Sequence, residues 1–399
     1  MMLNLSLQRN SREIHEQFYT SKELGELLVS YLPTSIWSKP SLKTLDLCMG
    51  QGSLLECVSE KKKSSLLYGS DIDPDNITAV HKNKNISVKT KCIDASNPSV
   101  TKLFEKNTFD LVVGNPPFKL IKNTSFIREQ FSEVGLSFNS KLVEAEAYFL
   151  MYGLKLLKNN GHLAYILPDG FFTNNSLSSL RKHLSDNLKI EAIVEIPPRS
   201  FVGTEAKTHL IVIKKTKSNN NKINLHSNNS PTIKITKREF INRGDYSFYK
   251  KATALKMKTL ESLGISLIRG RKSKKEIIES GKENYIHTTN LEKKGSTFSN
   301  FSTATDTVKA VAGDIVLARV GTRCLGKYGV VKNGEYYISD CIIIIRCKYK
   351  EHLKLLLKTI SSPFGQSWIN SVSKGVGARH ITVSDLYQLP ILIEKNHEN

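Results

Sequence analysis

Short apolar runs alternate with longer segments of helical periodicity between residues 44 and 215. In chain order the runs are TLDLCM, LLYGSDI, VKTKCID, FDLVVGN, GHLAYILP, IEAIVEIP and THLIVIKK. Runs of this length, separated by helical segments, are typical of βαβ units whose parallel strands are covered by helices on both faces. The pattern predicts a doubly wound α/β domain in the first half of the chain.

The pattern changes after residue 215. The stretch TKSNNNKINLHSNNSPTIKITKRE has few large apolar residues and is rich in Asn, Ser and Lys, a composition typical of a loop or linker. Beyond it come an amphipathic helix candidate near 250–263, short strand-like pieces such as GDIVLARVG and CIIIIRCKY, and a helix over about 351–372. We predict three parts: an α/β domain over 1–215, a linker over 216–249 and a smaller α+β domain over 250–399.

Composition narrows the class of protein. A chain of 399 residues is long for one core and sufficient for two. No run approaches the roughly 20 apolar residues that span a membrane, and the N-terminus lacks the apolar stretch of a signal peptide. The six cysteines form no C-x-x-C pair, which argues against a zinc ribbon and a disulfide framework. We expect a cytoplasmic protein with reduced thiols, no metal site and no membrane segment.

Positive charge is concentrated in the second half. The chain carries 58 Lys and Arg against 37 Asp and Glu, a net charge of +21. Residues 1–214 hold 26 basic and 22 acidic side chains, whereas residues 215–399 hold 32 and 15. Such an excess is typical of proteins that bind polyanions. A lysine-rich and asparagine-rich composition can also reflect a biased genome, so charge alone does not identify the partner.

Acidic residues follow three of the predicted strands. Asp46 ends the first, before a turn that contains Gly50 and Gly52, and Asp71 and Asp94 end the next two. Glycines in such a turn let a ligand lie against the backbone, although they can also serve the turn alone. An acid at the second strand end suits a ribose diol, and one at the third suits an adenine amino group. Because no third glycine or P-loop lysine is present, S-adenosylmethionine fits better than NAD.

The fourth strand end carries the most specific motif, NPPF at residues 115–118. Pro116 and Pro117 stiffen the backbone, so the side-chain oxygen of Asn115 and the Pro116 carbonyl are held at one point. Two acceptors there can bind both protons of an exocyclic amine and direct its lone pair at a methyl donor. Phe118 can stack on the base. The alternative is a strand-ending turn with a core phenylalanine.

These motifs, in this order, resemble those of N6-adenine DNA methyltransferases with an N-terminal catalytic domain. The resemblance covers roughly residues 12–215 and adds EQFYTSKELGELL, in which Phe18, Tyr19 and Thr20 would close over the methionine part of the cofactor. It also places Phe201, in PPRSFVGTEAKTHLIVIKK, as a second aromatic residue for the flipped base. Many relatives have proline where this chain has Ser21. The resemblance implies a Rossmann-like methyltransferase domain that uses S-adenosylmethionine to methylate a flipped-out adenine.

The second half resembles one target recognition domain of a type I specificity subunit, in stretches such as YIHTTNLEKKG and GDIVLARVGTRCLGKYGVV. The resemblance implies double-stranded DNA as partner. A single such domain without a spacer helix implies a monomer that reads one short, asymmetric site. Arg319, Arg323 and Arg379 are candidates for reading bases. A separately encoded restriction endonuclease stays open as a further partner.

Three other functions stay open at this point. An NPP motif followed by an aromatic residue also suits a glutamine-amide methyltransferase that acts on protein, and RNA adenine is another substrate of the same chemistry. A non-catalytic DNA-binding subunit that needs a companion is the alternative outside enzymology. The intact NPPF and glycine turn argue against the non-catalytic subunit. A glutamine methyltransferase would have a small N-terminal substrate domain and no basic C-terminal half, which is the reverse of the arrangement in this chain.

Overall fold

The computed structural model describes residues 20–197, 207–227, 230–253, 258–374 and 379–392. The chain forms two compact units, Met1–Tyr246 and Ser247–Asn399. In the described ranges, no helix combines the length and the apolar character that crossing a membrane requires.

A nine-stranded sheet organises the first unit. Its strands are β1 (Leu42–Asp46), β2 (Ser65–Asp71), β3 (Val88–Cys92), β4 (Phe109–Gly114), β7 (Leu157–Pro168), β8 (Lys189–Ile196), β9 (Thr208–Lys214), β10 (Lys222–Ser227) and β11 (Ile233–Thr236). They lie in the order β11-β10-β8-β9-β7-β4-β1-β2-β3. A separate hairpin pairs β5 (Leu120–Lys122) with β6 (Leu142–Glu144). Most neighbours are parallel, but β9 runs antiparallel between β7 and β8, and β11 is antiparallel to β10.

Nine helices described in the first unit connect these strands. They are α1 (Lys22–Ser30), α2 (Thr34–Trp37), α3 (Ser53–Lys61), α4 (Pro74–Lys82), α5 (Ser125–Ser132), α6 (Ala145–Leu156), α7 (Asp169–Thr173), α8 (Ser178–Asn187) and α9 (Lys237–Asn242). Strand β4 is buried along its whole length, as expected for a central strand covered on both faces. The predicted α/β, doubly wound class is therefore confirmed, with a mixed rather than wholly parallel sheet.

The predicted linker is wrong over most of its length. Residues 222–227 and 233–236 form β10 and β11, which extend the large sheet, and residues 237–242 form α9; all three elements belong to the first unit. Ile223, Leu225 and Ile235 are buried and alternate with polar positions, as in a half-buried strand. The sequence did not reveal this pattern, because many Asn and Lys residues lie between the apolar ones and give the segment the overall composition of a loop.

The second unit contains two small sheets. Strands β12 (Ser266–Arg269), β19 (Ile342–Arg346), β16 (Ile315–Ala318), β17 (Tyr328–Val331) and β14 (Ser296–Phe298) form one sheet in that order. Strands β13 (Tyr285–Ile286), β18 (Glu335–Ile338) and β15 (Lys309–Val311) form the other. The helices are α10 (Tyr246–Thr253), which begins at the last residue of the first unit, α11 (Lys274–Glu279), α12 (Lys350–Ser361), α13 (Pro363–Val372) and α14 (Val383–Tyr387).

The helix predicted over 351–372 is two helices. Pro363 is the first residue of α13, where the absence of an N–H costs nothing, and it disfavours helical geometry at the preceding residue. Ser362 is extended there and accepts a hydrogen bond from the Gly365 N–H. The break lets Trp368 and Ile369 pack in the core with Leu356 and Ile360.

Candidate active site

A cavity opens at the carboxyl ends of β1, β2, β3 and β4. It brings together eight of the residues that the sequence singled out: Thr20, Asp46, Gly50, Asp71, Asp94, Asn115, Pro116 and Pro117. Because β4, β1, β2 and β3 are adjacent and parallel, the residues that follow them meet at one edge of the sheet.

The two glycines after β1 have different surroundings. Both have positive φ, 52° for Gly50 and 83° for Gly52, a conformation that favours glycine. Gly50 lines the cavity and donates its N–H to Asp71 Oδ2 at 2.8 Å. Gly52 precedes α3, and a Cβ on it would lie 3.1 Å from Val80 Cγ2 of α4. Gly50 therefore forms the cavity wall, and Gly52 permits close packing behind it.

Asp71 fixes the geometry of the loops around it. Besides the bond from Gly50, its Oδ1 accepts the N–H of Asp73 at 2.9 Å and the side-chain amide of Asn76 at 3.1 Å. A carboxylate offers about four acceptor sites. These three hydrogen bonds hold the carboxylate rigidly and leave capacity for one more donor from a ligand.

Asp46 is almost completely buried, with 1% of its surface exposed. Burial, reinforced by the nearby charge of Asp71, raises the pKa of Asp46 to about 8, against the opposing effect of the Cys48 N–H. That N–H donates to Asp46 Oδ1 at 3.0 Å. At neutral pH the carboxyl group is therefore mostly protonated, so it can donate as well as accept in the cavity.

Asp94 differs from the other two acids because it is exposed. Its Oδ1 accepts both the N–H and the hydroxyl of Ser96, at 2.9 and 2.7 Å. Behind this turn, the buried Tyr148 of α6 donates its hydroxyl to the Ala95 carbonyl at 2.8 Å. The loop after β3 is thus fixed from both sides, with the Asp94 carboxylate on the cavity rim.

The NPPF segment follows β4 directly. The side-chain nitrogen of Asn115 donates to Thr20 Oγ1 at 3.2 Å, which sets the orientation of the amide. Pro116 and Pro117 line the cavity beside it. Phe118 is half-buried, packs against the apolar core of the first unit and is not among the residues that line the cavity. The structure therefore assembles the predicted acceptors but places the ring of Phe118 against the core.

Three predicted residues, Phe18, Tyr19 and Phe201, lie outside the described residues. Thr20, which completes the same motif as Phe18 and Tyr19, does line the cavity. Ser21, the departure from the family pattern, is the N-cap of α1 and accepts from the Leu24 N–H. Serine is among the preferred N-cap residues, so the replacement of proline keeps the start of this helix stable.

Sequence reasoning missed the apolar part of the cavity. Ile72, Ile93 and Phe149 line it, and Ile72 is 50% exposed. Lys119 also lines it, immediately after the NPPF segment. The signal for Ile72 was present, because a large apolar residue between two acids at a strand end has no obvious place in the core. Phe149 could not be assigned, since α6 is apolar all round.

The sheet order and the acid-ended strands define a Rossmann-like methyltransferase fold. The chain belongs to the N-6 DNA Methylase family, whose model matches residues 6–263. It is 27% identical over 231 residues to the type I restriction enzyme MpnII methylase subunit of Mycoplasma pneumoniae, covering 52% of this chain and 41% of that protein. It is also 27% identical over 215 residues to the type II methyltransferase M.VspI of a Vibrio species, covering 53% and 50%. The chain thus spans at most half the length of these two relatives.

One solved structure resembles the fold over most of the chain. The type IIG restriction endonuclease BpuSI aligns with a TM-score of 0.50 at 14% identity, covering 95% of this chain and 59% of that one. At this identity the likeness concerns the fold alone. It extends beyond the part that the family model matches.

Proposed function

We propose that this chain is a site-specific DNA adenine N6-methyltransferase that uses S-adenosylmethionine. The observation that carries the proposal is the single cavity edge at which Asp46, Asp71 and Asp94 meet the Asn115–Pro116 acceptors. Family membership supports the same reaction. We propose that it acts on double-stranded DNA in the cytoplasm, as a monomer, within a restriction-modification system.

The cavity fits the chemical parts of the proposed cofactor. Asp71 retains acceptor capacity for a ribose hydroxyl, and the half-exposed face of Ile72 would be covered by an adenine ring. Asp94 on the rim would accept from the adenine amino group. Asp46, Gly50 and Thr20 would hold the remaining polar part of S-adenosylmethionine. Bound there, S-adenosylmethionine supplies a methyl group on a positively charged sulfur.

The NPP segment would prepare the target amine. An exocyclic amine is a weak nucleophile because its lone pair is delocalised into the ring. If Asn115 Oδ1 and the Pro116 carbonyl accept its two protons, the nitrogen becomes pyramidal and its lone pair is directed at the methyl donor. Thr20 would keep the amide nitrogen turned away from the amine, so that the oxygen is presented.

The target adenine lies inside the stack of duplex DNA, so it must be flipped out, at a cost of a few kcal/mol. Stacking on Phe118 and Phe201 would offset part of that cost. Since Phe118 packs against the core in this structure, its stacking role requires a change in the orientation of the ring.

The test is to incubate the purified protein with S-adenosylmethionine and unmethylated genomic DNA, digest the DNA to nucleosides and measure N6-methyladenine by mass spectrometry. We expect the modified base with the wild type and none with Asn115→Ala, while Asn115→Ala still binds S-adenosylmethionine. Full activity of Asn115→Ala would refute the mechanism. Methylation of RNA or of glutamine peptides, but not of DNA, would refute the proposed substrate.

A further inference from the structure

Three loops of the second unit leave its five-stranded sheet at the same edge. Strand β12 ends at Arg269, which is paired with Ile343 of β19, and β16 ends at Ala318, which is paired with Ile342. The loops 270–273, 319–326 and 339–341 therefore lie side by side. Residues 379–381 join them through the Val320–His380 bridge and through a 2.9 Å bond from the Gly321 N–H to the Arg379 carbonyl.

Basic side chains converge on this edge from distant parts of the sequence. Arg269 Nε and Arg319 Nη1 both donate to the Asp340 carbonyl, at 3.4 and 3.2 Å. We call the set Arg269, Arg271, Lys272, Arg323 and Arg379 the Asp340 edge. Asp340, Asp306 and Glu276 are acids beside it among the described residues, and Asp306 pairs with Lys272 at 3.0 Å.

The arginines near this edge differ in solvent exposure and in hydrogen-bond partners. Arg319 is 8% exposed and also donates to the Ile381 carbonyl at 3.2 Å, so it joins two segments of backbone. These contacts hold its guanidinium against the backbone, which favours a positioning role over the predicted role in reading bases. Arg379 donates to the Asn370 carbonyl and to Ser373, next to the end of α13. Arg271 and Arg323 are exposed, and neither forms an ion pair with any residue that the structure describes.

The loops that carry these two arginines are fixed. A Cβ on Gly270 would lie 2.0 Å from the Ser339 carbonyl oxygen, so the chain is pressed against its neighbour just before Arg271. On the other loop, the Cys324 and Leu325 N–H groups both donate to the Gly321 carbonyl. Fixed loops present a side chain with little loss of backbone entropy when a ligand binds.

The spacing suits duplex DNA. Strands β12 and β16 are separated by β19, so the two loops start roughly 10 Å apart, since neighbouring strands lie about 4.8 Å apart. This is close to the roughly 12 Å width of the DNA major groove. The guanidinium fork can bind a phosphate or the O6 and N7 atoms of guanine. The second unit as a whole has 25 basic and 13 acidic residues.

We propose that the Asp340 edge is the surface of the second unit that contacts duplex DNA, with Arg271 and Arg323 as the side chains that touch it. The proposal rests on the proposed function for its occupant. Arg319 positions the edge through backbone contacts and does not touch the DNA.

The test compares two double variants of the full chain. Arg271→Gln/Arg323→Gln removes two charges from the edge. Lys350→Gln/Lys354→Gln removes two exposed charges from α12, which begins beyond the opposite end of β19. Binding is measured by fluorescence anisotropy with a labelled duplex that contains the methylated site, over a series of salt concentrations, together with the melting temperature and S-adenosylmethionine binding.

We expect the edge variant to lose about 30-fold or more in DNA affinity, and the α12 control to lose less than about threefold. Both should keep the wild-type melting temperature and S-adenosylmethionine affinity. If the arginines contact phosphates, the slope of log affinity against log salt concentration falls in magnitude by about 2, and the affinity for unrelated DNA drops equally. If they read bases, the loss is confined to the methylated site.

Equal DNA binding and methylation by the two variants would overturn this proposal while leaving the reaction intact. Wild-type protein that binds DNA through this edge but forms no N6-methyladenine would instead refute the reaction and leave the surface standing. Wild-type protein that binds structured RNA or an acidic protein but no duplex DNA would refute both the edge as a DNA surface and the proposed substrate.

Discussion

The side-chain nitrogen of Asn115 donates a 3.2 Å hydrogen bond to Oγ1 of Thr20, 95 positions earlier in the chain. This contact joins the motif assigned to the cofactor with the motif assigned to the target amine. The Asn115 side-chain oxygen and the Pro116 carbonyl oxygen are the proposed acceptors for the amine. They can both face it only if the side-chain amide of Asn115 does not rotate. Under the proposed function, Thr20 would link cofactor binding to the orientation of the Asn115 side-chain oxygen.

Thr20→Val should lower kcat about fivefold, because a net hydrogen bond of about 1 kcal/mol that orients the amide is lost. Thr20→Ser keeps the hydroxyl and should retain most of the activity. The measurement is the initial rate of methyl transfer at saturating S-adenosylmethionine. Equal rates for the Val and Ser variants would show that the hydroxyl does not orient Asn115.

Asp71→Ala should weaken S-adenosylmethionine binding before it affects the chemical step. It removes an acceptor for a ribose hydroxyl and releases the Gly50 N–H that the carboxylate holds at 2.8 Å. We expect the Kd from calorimetry to rise by about tenfold or more, as for a lost hydrogen bond to a charged group. Asp75→Ala, in the first turn of α4, is the control and should leave the Kd unchanged. An unchanged Kd for Asp71→Ala would remove Asp71 from the cofactor site.

Glu146 should make the protein less stable at neutral pH than at about pH 4.5. Burial raises its pKa to about 7, and 6% of the residue is exposed. When the pKa of a carboxyl group is higher in the folded than in the unfolded protein, its protonation stabilises the folded state. This contribution to the free energy of unfolding is complete below the unfolded pKa and is lost as the pH rises through the folded pKa. The affected window is therefore about pH 4.5 to 7, with a total of about 3 kcal/mol.

Glu146→Gln removes this titration. The difference in the free energy of unfolding between variant and wild type, from urea titrations, should move in favour of the variant by about 3 kcal/mol between pH 4.5 and pH 8. A constant difference over this range would show that Glu146 titrates normally. The comparison at two pH values cancels any fixed packing cost of the amide.

Arg181→Met should destabilise the first unit by about 3–5 kcal/mol. The guanidinium is fully buried and donates to five carbonyl oxygens: those of Phe171, Asn174, Phe240, Ile241 and Asn242. Three of these belong to the last turn of α9, where the helix dipole favours a cation. Removing the donor leaves buried carbonyls without hydrogen bonds, at about 1–3 kcal/mol each when water cannot replace it.

The adjacent Lys182 provides the matched control. It is exposed and pairs with Asp186 one turn later, so Lys182→Met should change the free energy of unfolding by less than about 1 kcal/mol. The measurement is again urea unfolding. Similar effects of the two substitutions would mean that Arg181 does not anchor α9 to α8.

Local signals predicted most of the first unit. All seven runs became strands. Buried strands such as β4 are apolar at nearly every position because the sheet is covered on both faces, whereas β3 is an exposed edge strand that contains two lysines. The carboxyl ends of adjacent parallel strands share an edge, so the acids and NPPF could be grouped before the structure was known. The failure at β10 and β11 has the opposite cause, since these half-exposed strands near one edge of the sheet keep few apolar residues, and polar ones outnumber them.

The sequence by itself determined the fold class, the family and the identity of the cavity acids, because strand burial and strand-end position leave direct patterns in the residue order. Only the tertiary structure decided which arginines are free. Arg319 and Arg323 are four residues apart, yet one is buried on backbone carbonyls and the other exposed. The same holds for Phe118 and Arg181. Solvent exposure and hydrogen-bond partners depend on segments far apart in the chain, and no local pattern records which segments will meet.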